Sequence, residues 1–487
     1  MSIKALSLDF AFYGLLDILQ RSVGIIMVPI YTRVLSQTEY GNLDIVIIIS
    51  SVLCILVDLQ FISGFSRLYY DYRNAGKGKR FVGTTIVSRL VGGVTITAAF
   101  IILGFLGNIE FAFLPSFKAN TSAWILAAIS VPLTLTYDIL MLQTRMLRWK
   151  KWFALGALFN CFLSCAFSVV FVIFLELGIV GVVLGLGLGK LVGVLLLSGG
   201  LRKEIKLCLD VAPFKELMKY SMPLVPGWWF AFGSAYLSRF FVFAELGAAD
   251  NAILAVCMKV AGVVGLFSTS FKLAWEPLAM ACIGDESGEV FYVRSMRLFI
   301  AGGLFSVFFL SILIGPILTA FTPESYSAVK YYFPLFAVGA LLSGCANNLR
   351  LGNLIAKKTY WISISSIVCI AINLIMLIAF TKSYGIVAAG LAWIVSFAVK
   401  DVIMYVTAQK NYYIPYDKKS FVLLGLGCGL LVLLGMCSHS RHIPDWLFTS
   451  SVASIGTIFP WFVMAPFERK AIINFLRQRN WLLFVSG

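Results

Sequence analysis

A chain of 487 residues that is 60% hydrophobic and 13% charged, with mean hydropathy +0.92, has too few polar side chains to cover a water-soluble surface. Lipid is the solvent that suits it. A net charge of +16 would point to nucleic acid in a soluble protein, but here the basic residues lie in short loops between apolar runs, where they set topology.

About 20 apolar residues are needed to cross a hydrocarbon core. That ruler predicts fourteen spans, near residues 8–32, 43–65, 82–105, 122–144, 153–175, 178–199, 219–243, 252–274, 297–321, 332–354, 360–381, 386–407, 420–437 and 447–466. The expected fold class is an all-α polytopic membrane protein whose first span is not cleaved. Of the 39 Lys and Arg, 26 fall in one set of alternate loops and five in the other, so both termini are expected to be cytoplasmic.

The ten cysteines include no CxxC pair, and the two histidines, His439 and His442, have no cysteine at metal-ligand spacing. No metal, cofactor or disulfide framework is expected. No Walker A loop, HExxH or GxSxG stands in any loop, and no loop is long enough for a catalytic domain. The pattern speaks against an enzyme and for a transporter.

Two segments recur at one offset. Lys150-Lys151 and Gly178-Ile179-Val180 in the first half correspond to Lys357-Lys358 and Gly385-Ile386-Val387 in the second. A weaker match sets Leu35-Ser36-Gln37-Thr38-Glu39-Tyr40-Gly41 against Leu246-Gly247-Ala248-Ala249-Asp250-Asn251-Ala252. The repeat predicts two six-helix lobes in a pseudo-twofold arrangement, residues 1–205 and 206–410. Residues 411–487 then add two transmembrane helices and a basic cytoplasmic tail.

Eight cations fall within or at the ends of spans: Arg21, Arg89, Lys190, Arg239, Lys259, Lys272, Arg350 and Lys400. Such charges normally face protein, a partner or a water-filled cavity. Arg89, Arg239, Lys272, Arg350 and Lys400 are close enough to span ends to be expected to snorkel. Arg21 is mid-span with Asp17 one turn before it, on a helix that also carries Asp9, Tyr13, Gln20 and Tyr31 and so should line an aqueous cavity. Lys190 and Lys259 are also well inside. Acids are fewer, with Asp17, Asp58, Asp138 and Asp401 in spans and Glu276 just beyond one, so the cavity is expected to attract an anion. Asp401 beside Lys400 and Glu276 after Lys272 are expected local pairs.

The segment Val28-Pro29-Ile30-Tyr31-Thr32-Arg33-Val34-Leu35-Ser36-Gln37-Thr38-Glu39-Tyr40-Gly41 resembles the opening of bacterial O-antigen and polysaccharide flippases. Pro223, Leu246-Gly247, Ala274-Trp275-Glu276-Pro277 and Tyr384-Gly385-Ile386-Val387-Ala388-Ala389 are similar to further features of that family. It belongs to the multidrug/oligosaccharidyl-lipid/polysaccharide exporter superfamily. The resemblance implies an inner-membrane protein that moves undecaprenyl-pyrophosphate-linked oligosaccharide between leaflets by alternating access, alongside a polysaccharide polymerase and a chain-length regulator. On that reading Arg21, Arg239, Lys259 and Lys190 bind the anionic headgroup, and Asp17 and Asp138 couple to a proton or ion. The alternatives are a drug/cation antiporter, which should carry more acids than bases in its spans, and a membrane glycosyltransferase or ligase, which should carry a long charged periplasmic loop.

Overall fold

The computed structural model describes residues 12, 16, 19, 20, 24–106, 121–283, 288–439, 445–466, 468 and 469. Among these the secondary structure is helical, and the chain forms two compact units, Met1–Ala255 and Val256–Gly487. In the first unit the helices are α1 (Val28–Val34), α2 (Gln37–Asp58), α3 (Phe61–Asn74), α4 (Gly78–Leu106), α5 (Thr121–Met146), α6 (Lys150–Val169), α7 (Gly178–Leu201), α8 (Val211–Ser221) and α9 (Val225–Leu246). The boundary falls within α10 (Ala248–Ala281). The second unit continues with α11 (Gly288–Phe321), α12 (Val329–Leu349), α13 (Leu351–Ile355), α14 (Tyr360–Asn411), α15 (Lys418–His439) and α16 (Asp445–Val463).

Ten of the described helices are long and apolar enough to cross a membrane. One of them, α14, has 52 residues and turns at Gly385, whose φ of 59° and ψ of −136° leave helical geometry, so it supplies two of the predicted spans. The short apolar helix Gly24–Val34, α9 and the short apolar helix Ser454–Val463 fall on the predicted first, seventh and last spans, respectively. A polytopic, all-helical membrane protein is what the hydropathy ruler predicts.

Two spans depart from the ruler. The second is broken: α2 ends at Asp58, Leu59 and Gln60 take left-handed φ of 44° and 61°, and α3 begins at Phe61. The seventh starts later than predicted, because Pro223 and Pro226 separate α8, through the short 3-10 turn Met222–Leu224, from α9.

The motif that carried the family resemblance has a local physical role. Ser36 and Glu39 form a capping box at the start of α2, the Ser36 hydroxyl accepting from the Glu39 amide at 3.2 Å and the Glu39 carboxylate accepting from the Ser36 amide at 2.8 Å. Tyr40 is buried. Gly41 lies so close to Ala248 that a Cβ would overlap the Ala248 carbonyl, and its own carbonyl accepts from Asn251 Nδ2 at 3.0 Å. The two turns matched in sequence therefore pack on each other.

The longer repeat also has a conformational counterpart. Arg148 and Lys357 both take left-handed φ, of 56° and 57°, and so do Gly178 and Gly385, at 54° and 59°. Between these turns the first stretch is two residues longer than the second, and it carries the π-helical turn Val170–Phe174 after α6. Gly185 and Gly189 on α7 admit the backbone of Ser168 and Ser164, the small-residue packing that lets membrane helices approach closely.

In the second unit, buried Glu468 gathers Arg297 at 3.0 Å and Arg294 at 3.9 Å. Arg350 does not snorkel. It donates to Glu276 at 2.8 Å, and Glu276 also meets Lys272 at 3.8 Å.

Candidate functional site

Four helices bring charge to one place in the first unit. The end of α2 supplies Asp58, α4 supplies Arg89, α5 supplies Asp138 and α7 supplies Lys190, and all four side chains line a cavity of about 370 Å³. Ser50, Ser51, Ser130 and Thr134 add hydroxyls to its wall.

Arg89 is only 1% exposed, so it does not reach a span end as its sequence position suggested. Its Nη2 stands 2.8 Å from Asp58 Oδ1. Nε and Nη1 have no hydrogen-bond partner among the described residues. A buried guanidinium with two idle donors has hydrogen bonds left to give to an acceptor in the cavity.

The helix break beside this pair follows from the same charge. The Gln60 amide hydrogen-bonds the Asp58 carboxylate, which holds the chain in the turn where neither Leu59 nor Gln60 favours left-handed geometry.

Lys190 Nζ donates to Thr134 Oγ1 at 2.6 Å. Asp138 lies within electrostatic reach of both Arg89 and Lys190. The cavity thus holds two acids and two bases, and the cation excess expected of the site is not present among its described charges.

The remaining wall is aromatic. Trp228, Phe232 and Tyr236 recur at four-residue intervals on α9, so they form one stripe. Their rings run edge to face from Trp228 to Phe232, with centroids 6.3 Å apart, and then tilted from Phe232 to Tyr236 at 4.3 Å.

Of the residues singled out in sequence, Lys190 and Asp138 meet at this cavity. Arg239 lies on α9 but engages Asp44 at 2.8 Å and passes over the Tyr236 ring at 5.7 Å. Lys259 is half-buried on the part of α10 that belongs to the second unit. Arg21 and Asp17 lie outside the described residues, as do Asp9 and Tyr13. Asp58 and Arg89 were visible as charges but not as a pair. Their partnership crosses 31 positions of chain, and no local spacing encodes it.

The second unit has a cavity of its own, about 750 Å³, between α12, α14 and α15. Its charged lining is Asp401 and Lys418, set among leucines, valines, Cys345 and Cys428. Asp401 Oδ1 has no hydrogen-bond partner among the described residues.

No protein-family model and no curated protein matches the sequence. Solved structures do match the fold. The lipid II flippase MurJ, in an inward closed conformation, superposes with a TM-score of 0.68 over 94% of this chain and 99% of that one, at 15% identity. The chain shares the fold of that structure. An inward-facing multidrug resistance MATE family transporter of the MOP superfamily follows, at a TM-score of 0.61, 13% identity, 84% of this chain and 94% of that one. A MOP superfamily transporter from Pyrococcus furiosus gives 0.56, 14% identity, 82% and 95%. At such low identity the likeness is one of fold, and the passenger is left to be argued from the cavity.

Proposed function

We propose that the protein is a flippase for an undecaprenyl-pyrophosphate-linked oligosaccharide, moving it from the cytoplasmic to the periplasmic leaflet of a bacterial inner membrane by alternating access. The observation that carries this reading is the pairing, in one cavity, of a guanidinium with idle donors and a stripe of aromatic rings. Arg89 and Lys190 offer charge-assisted hydrogen bonds to phosphate oxygens. Trp228, Phe232 and Tyr236 offer apolar faces to sugar rings, and the wall hydroxyls offer hydrogen bonds to sugar hydroxyls.

Asp138, beside the same cations, exchanges a proton or ion on this reading, the coupling role also proposed for Asp17. Arg21, Arg239 and Lys259 keep their assignment as headgroup contacts, with residues 1–205 and 206–410 as the two moving lobes.

A drug/cation antiporter is the second reading, favoured by one observation: Asp58 and Asp138 match the bases of the cavity in number. Reconstitution separates the two. Purified protein in vesicles carrying a fluorescent undecaprenyl-diphosphate-linked oligosaccharide should move the glycan to the leaflet where an added lectin can bind it. Failure of that movement, together with proton-driven accumulation of a lipophilic cation, would replace the flippase by the antiporter.

A further inference from the structure

The basic loop between α3 and α4 sets topology in sequence, but the fold gives it a shape. Arg73, Lys77, Lys79 and Arg80, with Lys206 from the segment before α8, surround a cavity of about 460 Å³ that shares no residue with the polar cavity. Five cations face one carboxylate there, Glu204. Like charges held this close repel one another until an anion comes between them.

The backbone is arranged for the same purpose. α3 closes in a turn, with the Lys77 amide donating to Tyr72 O at 2.9 Å and Gly76 in left-handed geometry at φ 73°. α4 then starts at Gly78, and its first amides, on Gly78, Lys79 and Arg80, have no acceptor within the helix. The Lys79 carbonyl accepts from the Lys206 amide at 3.1 Å, which draws the last cation across the opening.

The floor supplies an independent sign of a ligand. Gln143 is 1% exposed and lines the cavity, its Nε2 donating to the Tyr69 hydroxyl at 3.2 Å while Oε1 has no partner among the described residues. Turned end for end, the amide would accept from Tyr69 and leave an idle donor instead. In that orientation, and not in the other, the buried amide offers a hydrogen bond to a phosphate oxygen in the cavity. The other cations are lightly held: Arg80 stands 3.9 Å from Asp210, and Arg73 donates to Tyr69 at 3.4 Å.

We propose that this cavity binds a phosphate or diphosphate group, at a site separate from the passenger cavity. Its depth suits a lipid headgroup, because the apolar run of α4 begins at Phe81, directly after the basic turn. A soluble phosphate ester would present the same oxygens.

The test uses the full chain in neutral phosphatidylcholine nanodiscs at constant ionic strength. One arm titrates inorganic pyrophosphate by calorimetry; the other counts phosphatidic acid retained by the protein in native mass spectrometry. Binding in either arm should weaken about tenfold or more in the double variant Arg73→Ala, Lys77→Ala, whose side chains are exposed. It should be unchanged in Arg67→Ala, whose partner is Asp71 and which lies off the cavity. Pyrophosphate alone assigns a soluble ligand, phosphatidic acid alone a lipid, and both assign the phosphate group whatever carries it. As a check that needs no variant, pyrophosphate or phosphatidic acid should protect Lys77 and Lys79 of the unaltered protein from acetylation. Absence of binding in both arms, equal loss in Arg67→Ala, or binding without protection overturns the proposal.

Discussion

The cavity of the second unit has twice the volume of the cavity in the first, 750 against 370 Å³, yet it is lined by one acid and one lysine in an otherwise apolar wall. The smaller cavity holds Asp58, Arg89, Asp138 and Lys190 with hydroxyls and a stripe of rings. The two halves repeat the left-handed turns at Arg148 and Lys357 and at Gly178 and Gly385. A repeated helix plan therefore leaves the chemistry free to differ, and here the polar work is concentrated in the first unit.

The largest effect is expected at Arg89. Arg89→Ala strands Asp58 without its counter-charge in a buried place, which costs about 3–5 kcal/mol, and it removes the idle donors, so glycan translocation should be lost along with thermal stability. The double variant Arg89→Met, Asp58→Leu separates the two losses. It should regain the melting midpoint but stay inactive, and recovery of translocation would reduce the pair to a structural tie.

Lys190→Ala comes next. Lys190 is half-buried with Thr134 as its hydrogen-bond partner, so the fold should survive. Loss of one charge-assisted contact worth ~1.5–3 kcal/mol should slow translocation about tenfold or more. An unchanged rate in vesicles would move the headgroup contact elsewhere.

Asp401→Leu should do far less, changing translocation by no more than about twofold, because the wall of the second cavity is mostly apolar, with Lys418 its other charge. Its melting midpoint should be equal or higher, since an unpartnered buried carboxylate oxygen is replaced by a side chain that suits the wall. A Lys190-sized loss of transport at Asp401 would erase the contrast between the halves. The smallest expected effect is that of Ser36→Ala, which opens the capping box of α2 at a cost of ~1 kcal/mol in thermal unfolding and leaves the rate alone.

Spans were legible in sequence because a run of about 20 apolar residues has few other uses. The turns at Gly178 and Gly385 were legible because a left-handed position favours glycine, and Gly41 carried a motif whose reason is its contact with Ala248. The break at Leu59 and Gln60 was not, since neither residue signals a turn and the cause lies in Asp58 and its distant partner. Arg89 was misjudged for the same reason: distance to a span end measures reach toward water, not what another helix offers nearer by. Tyr72 shows the converse at the surface. Its hydroxyl donates to Glu216 on α8, and burial together with that carboxylate holds it up to about 12, so it remains a donor at any ordinary pH.

The Asp58 and Arg89 pair also sets an order of assembly. A lone arginine near the middle of a span costs about 2.5–3.5 kcal/mol on leaving the translocon. Asp58 precedes Arg89 in the chain, and α3 with its turn at Ala75 to Lys77 leads directly into α4. The acid therefore emerges first, and insertion of α2 to α4 as one hairpin is the expected way for the arginine to meet its partner on entry. In a glycosylation-reporter assay the inserted fraction of α4 should fall when Asp58→Leu is made in the preceding segment, and an unchanged fraction would mean that each span partitions alone.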